Sequence, residues 1–246
     1  MSHRRYLFPR RLTEGLIKSR PNRFVMMADV AGELKKCHCP STGRIGSILF
    51  EDIPCLISAC EGKGRKTGHT VEAFSLDDPG DKKKRWIGIN QVKANRYIEH
   101  FLKAGRMSRM FRVEDLRKEV KVGDSRFDFL VNGRDLLEVK TPLEGIPCEG
   151  HAKYRPDIPP ASHFERSFRQ LRDSTRVISN GARSVLLICH IYDARPFKVP
   201  PPGTNNPKIL DAVRDATAKG MESWQANLRI DEDGVGLRDY YKIKIC

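Results

Sequence analysis

Asp128, Glu138 and Lys140 lie within one short stretch, DFLVNGRDLLEVK, that reads as two strands joined near Asn132-Gly133. Two carboxylates brought to one point make a hard-oxygen site suited to Mg2+ or Mn2+. A lysine beside them can orient a water or stabilise the negative charge that develops on a phosphate. Together these are the groups needed for metal-assisted phosphodiester hydrolysis. Glu138 and Lys140 are two residues apart, so their side chains leave the same face of a strand. A strict two-residue turn would pair Val131 with Arg134 and Asp128 with Leu137, leaving Glu138 on the opposite face. One more residue in the connection, such as a three-residue loop with a glycine bulge, sets Asp128 opposite Glu138. Spacing alone favours an ordinary hairpin with exposed charges in which Lys140 pairs with one acid, because acid-x-lysine is a frequent accident.

The elements around this hairpin must position it. Before it, NQVKANRYIEHFLKAGRM carries Val92, Ile98, Phe101 and Leu102 at helical spacing, with Gly105 where a helix C-cap belongs. The runs MFRVEDLRKEVKV, RFDFLV and DLLEVK read as strands. A Pro- and Gly-rich loop follows from Thr141 to Pro160, then a helix through ASHFERSFRQLRDSTRVISNG that stops at Asn180-Gly181. SVLLICHIY is an almost uninterrupted apolar run, as expected of a strand covered on both faces. A further helix, KILDAVRDATAKG, and the strands ESWQANLRI and YYKIKI complete the order α-β-β-β-α-β-α-β, an α/β domain with a mixed sheet.

The first third is different. FVMMADVAG, GELKKCHC, SILFEDIPCLISAC and HTVEAFSL are β-type runs broken by turn residues, which suggests a small all-β barrel or sandwich. The charged linker DDPGDKKKR separates the two parts, giving expected domains over 1–85 and 86–246.

The 45 basic and 31 acidic residues leave a formal charge of +14. Such clustered positive charge points to a polyanion, most often nucleic acid. No apolar run approaches the roughly 20 residues of a membrane helix. The basic N-terminus lacks the apolar segment of a secretory signal, so a cytoplasmic location is expected. The seven cysteines are odd in number and sit mostly among apolar neighbours, as reduced thiols do. Cys37, Cys39, Cys55 and Cys60 lack the usual zinc-knuckle spacing, and zinc is not expected. His38, beside them, reads as a structural hydrogen-bonding residue.

The helix-strand order resembles the PD-(D/E)xK nuclease superfamily. Along the whole chain, HCPSTGRI, IGIN with Asn95 following, EVKVGDSRFDFL, LEVK, ERSFRQL, ARSVLLICHIYDARPF and NPKILDAVRDATAKGMESW resemble the sugar fermentation stimulation protein A family, in that family's order. The resemblance implies an oligonucleotide-binding (OB-fold-like) barrel joined to a nuclease-like domain. It also implies largely sequence-independent DNA binding and divalent-metal-dependent cleavage, with Mg2+ or Mn2+ as cofactor. By it, Asp128 and Glu138 are the metal-binding acids, Lys140 the lysine of E-x-K, and Glu99 a further helix carboxylate. Gln170 stands in the later helix where the family usually has histidine, and Arg169 where it usually has lysine. Ser41 replaces an asparagine, and Pro142 breaks the segment after Lys140. The expected DNA contacts are Arg23, Lys63, Arg65, Lys66, Arg126, Arg166 and Arg169. Phe24 is weighed as a stacking platform against a place in the core, the latter favoured, and Arg126 as a phosphate ligand against a surface partner of Asp124. Lys82 to Arg85 would extend the basic track. DNA is the expected partner, with a second copy of the chain as a further candidate. A non-catalytic DNA-binding regulator of sugar metabolism, with a vestigial nuclease core, is the alternative.

Overall fold

The computed structural model describes residues 4–41, 45–60, 67–143, 145–148, 150–155, 178, 181–198 and 206–245. Lys63, Arg65, Lys66, Arg166, Arg169 and Gln170 lie outside the described residues.

Six strands make the first sheet: β2 (Thr13–Asn22), β3 (Val25–Val30), β4 (Glu33–His38), β5 (Ile53–Ala59), β6 (His69–Ser75) and β7 (Trp86–Gly88). Parallel pairing of β4 with β6, Cys37 opposite His69, closes five of them into a barrel with β7 added alongside β6. Its interior holds Ile17, Met26, Ala28, Cys37, Cys55, Ile57, Val71 and Phe74. β2 was not foreseen, because TEGLIKSRPN alternates poorly; only Ile17 along it is fully buried. Gly15 is required there, since a Cβ would meet Asp29 O at 2.7 Å.

The second sheet has seven strands in the order β1-β13-β12-β11-β10-β9-β8. These are β1 (Arg5–Leu7), β8 (Leu116–Val122), β9 (Ser125–Val131), β10 (Asp135–Lys140), β11 (Ser184–His190), β12 (Glu222–Ile230) and β13 (Gly234–Lys242). β10, β11 and β12 run parallel and the remaining pairs antiparallel, the mixed sheet expected. β11 is buried along nearly its whole length. Helix α1 (Ala94–Lys103) covers one face, packing Ala94, Tyr97, Ile98, Phe101 and Leu102 against Phe129, Val131, Leu137, Val139 and Leu187. It ends where Gly105 adopts φ +67° and Arg106 N–H bonds back to Phe101 O. Val92 does not share the apolar face; it lies in the short 3-10 turn before α1 and is 78% exposed. Helix α2 (Asn206–Ala218) sits on the other face, where Val213 and Ala216 cluster with Leu186.

Two strands pair across the division expected after residue 85. β1 joins the edge of the second sheet, Tyr6 opposite Val235, and β7 belongs to the barrel. Both are only three residues long, too short for a local pattern to announce them, and the partner of β1 lies more than two hundred residues away. The two parts are packed together: Leu12, Leu56 and Ala73 join the core under α1, while Leu143, Ile146 and Tyr192 join that of the barrel. At the seam Gly88 N–H donates to Ile191 O, and a Cβ on Gly88 would stand 2.4 Å from Ile191 Cγ2.

No helix among the described residues is long and apolar enough to cross a membrane. Cys37, Cys39, Cys55 and Cys189 are buried free thiols. Among the described residues no group of three or more His, Cys, Asp or Glu gathers as a metal site.

Candidate metal centre and nucleic-acid interface

The hairpin connection contains three residues. Val131 pairs with Asp135, Leu130 with Leu136 and Phe129 with Leu137, leaving Asn132, Gly133 and Arg134 as the loop. Asn132 and Gly133 adopt φ +52° and +68°. Asn132 is also anchored: its Oδ1 accepts from Glu114 and Asp115 N–H, and its Nδ2 donates to Arg112 O. Extended by one residue, this register sets Asp128 level with Glu138, the placement that convergence demanded.

Beyond Leu137 the ladder between β9 and β10 ends, and Asp128 fills the opening. Its Oδ2 accepts from Val139 N–H at 2.7 Å. Its Oδ1 accepts from Asn95 Nδ2, in the first turn of α1, also at 2.7 Å. Glu138 is 8% exposed. Its Oε1 accepts from Lys140 Nζ at 2.5 Å, whereas Oε2 is buried without a hydrogen-bond partner among the described residues. Burial pushes the Glu138 carboxyl up to about 7; the Lys140 ammonium opposes this and the Asp128 charge adds to it.

A buried carboxylate oxygen with no donor is costly unless a cation or donor reaches it. Two carboxylates on adjacent strands, one with an open oxygen, fit a hard divalent ion that completes its shell with water and substrate oxygens. The donor set is all oxygen, as Mg2+ and Mn2+ prefer.

Glu99 lies one turn beyond Asn95, but its carboxylate is taken by Lys103 at 2.8 Å and Lys118 at 3.1 Å. Burial works against its ionised form, yet these lysines hold its carboxyl below the ordinary value. The helix therefore meets Asp128 through Asn95. The i, i+4 spacing of Asn95 and Glu99 puts both on one face; that signal was present and pointed equally to either. Gln91 was also overlooked: its Oε1 lies 3.3 Å from Ser41 Oγ in the barrel, and its Nε2 donates to Thr141 O, next to Lys140.

Of the expected DNA contacts, Arg23 and Arg126 fall among the described residues. Arg23 is exposed at a barrel turn with its guanidinium 4.7 Å from the Phe24 ring centroid. Phe24 is 45% exposed, not a core residue. Arg126 lies on β9 and pairs with Glu119 at 3.3 Å. Lys84 and Arg85 are engaged by Glu14 and Asp77, which weakens the idea of a track over residues 82–85.

Residues 19–89 match the family model for the SfsA N-terminal OB domain, and residues 92–234 match that for the sugar fermentation stimulation protein RE domain. A sugar fermentation stimulation protein homolog of Desulforamulus reducens is 32% identical over 238 residues, covering 95% of this chain and 93% of the relative. A homolog of Methylobacterium sp. (strain 4-46) is 31% identical, covering 94% of each chain. Pyrococcus furiosus SfsA, solved in complex with Ca2+, superposes with a TM-score of 0.68 at 18% identity, over 95% of this chain and 96% of that one. An OB barrel followed by a mixed-sheet domain, matched by both family models along most of its length, places this chain in the sugar fermentation stimulation protein family.

Proposed function

We propose that this chain is a divalent-metal-dependent DNA nuclease whose ion is held by Asp128 and Glu138. The observation that carries this reading is the buried Oε2 of Glu138 beside Asp128, with no hydrogen-bond partner among the described residues, and Lys140 bonded to the other oxygen. A protein that only bound DNA would gain nothing from carboxylates facing phosphates, which repel unless a cation lies between them. Pyrococcus furiosus SfsA is described in complex with Ca2+, a divalent ion that takes oxygen ligands. A divalent ion bound here supplies charge neutralisation and an acidified water. Glu138 must be ionised to hold it, and its lysine partner favours that state. Lys140, on the same strand face, is placed to meet a phosphate oxygen. Arg23 with the exposed Phe24 offers a cation and an aromatic face on the barrel, as strand-binding barrels use. The formal +14 supports a polyanionic substrate gripped through its phosphates.

The test incubates purified protein with labelled single- and double-stranded DNA in Mg2+, Mn2+ or chelator. Cleavage that requires metal and disappears in Asp128→Ala and Glu138→Ala supports the reading. Cleavage unchanged in both variants refutes the site. Tight DNA binding with no cleavage under any metal condition leaves the chain as a binding factor.

A further inference from the structure

Both oxygens of Asp128 are fixed from different directions. Val139 N–H, from the neighbouring strand, holds Oδ2, and Asn95 Nδ2, from the helix, holds Oδ1. We infer that Asn95 is a positioning residue, which orients Asp128 for a divalent cation and gives α1 its role at the site through an amide. This rests on the reading of Asp128 and Glu138 as a cation site.

Three observations carry it. The resemblance to nucleases led to Glu99 as the helix's contribution, but two lysines occupy Glu99. Asn95, one turn earlier on the same face, makes the contact instead. Each carboxylate oxygen has two lone-pair directions, so one accepted hydrogen bond leaves a direction open for an ion. A carboxylate held this way binds without first losing its rotational freedom, which is why partners outside the ligand set typically change metal affinity by about 10- to 100-fold.

The helix is itself placed by the barrel. Glu72 of β6, fully buried, accepts from Asn90 Nδ2 at 2.8 Å, Lys93 Nζ at 2.5 Å and Ser58 Oγ at 2.5 Å. Its backbone oxygen accepts from Ile89 N–H at 2.9 Å. The residues that lead into α1 are therefore tied to the barrel, and Asn95 follows two residues after Lys93. The barrel thus enters the geometry of the ion site as well as offering a surface to substrate.

The experiment is a calorimetric Mn2+ titration of the full chain, first stripped with chelator, at pH 8. It compares wild type with Asn95→Ala, Asn95→Ser, Glu99→Gln and Asp128→Ala. Asn95→Ala and Asn95→Ser, whose side chains are too short to reach Asp128, should weaken Mn2+ binding by about tenfold or more. Their melting temperatures should stay close to wild type, and excess Mn2+ should restore cleavage. Glu99→Gln should bind as wild type does. Wild-type affinity in both Asn95 variants, with Asp128→Ala defective, overturns the role of Asn95 and leaves the site standing. An equal loss in Glu99→Gln also overturns it. Undiminished binding in Asp128→Ala overturns the underlying site reading.

Discussion

Glu138→Gln should stabilise the metal-free protein above neutral pH. Burial raises the Glu138 carboxyl from its ordinary 4.5 to about 7 in the folded chain. Below pH 4.5 folded and unfolded chains both hold the proton. Between 4.5 and about 7 the folded chain keeps a proton that the unfolded chain has released, so stability falls as pH rises through this window and then levels off. At about 1.4 kcal/mol for each pH unit of displacement, the full interval is worth about 3 kcal/mol. The glutamine variant keeps the shape and removes the buried charge. In chelator at pH 8 it should exceed wild type by up to about 3 kcal/mol, a melting shift of about 6–12 °C for a chain of this size. The advantage should fade towards pH 5. Saturating Mn2+ should reverse the order, because ion binding stabilises wild type and not the variant. The assay is urea or thermal unfolding across pH, with and without Mn2+. A variant equal to or weaker than wild type at pH 8 in chelator refutes the argument, since Glu138 Oε2 would then be solvated or hydrogen bonded.

Other outcomes follow from the packing and the charge. Gly88→Ala forces a Cβ into Ile191 where barrel and sheet domain meet; it should cost about 1–3 kcal/mol in urea unfolding. Arg23→Ala should weaken DNA binding similarly across sequences and reduce the slope of log affinity against log salt by about 1. A gel shift insensitive to salt would contradict binding through phosphates.

Much of the second domain was legible. ESWQANLRI is a strand over its full length, Gly105 ends α1, and the requirement that two acids converge specified a three-residue loop before any register was known. The barrel was legible as a class but not strand by strand. β2 presents mostly solvated side chains, so its apolar period is weak, and β1 pairs with a strand more than two hundred residues away. At the site, local pattern gave the acids but not their helix partner. Asn95 and Glu99 share a face, and only the lysines of α1 and β8 decide which one turns to Asp128. Phe24 looked apolar enough for the core, yet it sits at a turn beside Arg23, where burial is unavailable.

The central claim is that Asp128 and Glu138 together hold a divalent ion. Anomalous scattering from a crystal of the full chain soaked in Mn2+ tests it most directly. The account predicts a single strong peak within bonding distance of Asp128 and of Glu138 Oε2, absent from Glu138→Ala crystals. A soaked crystal with no peak there, or with its peak elsewhere and undisturbed by that substitution, would contradict it.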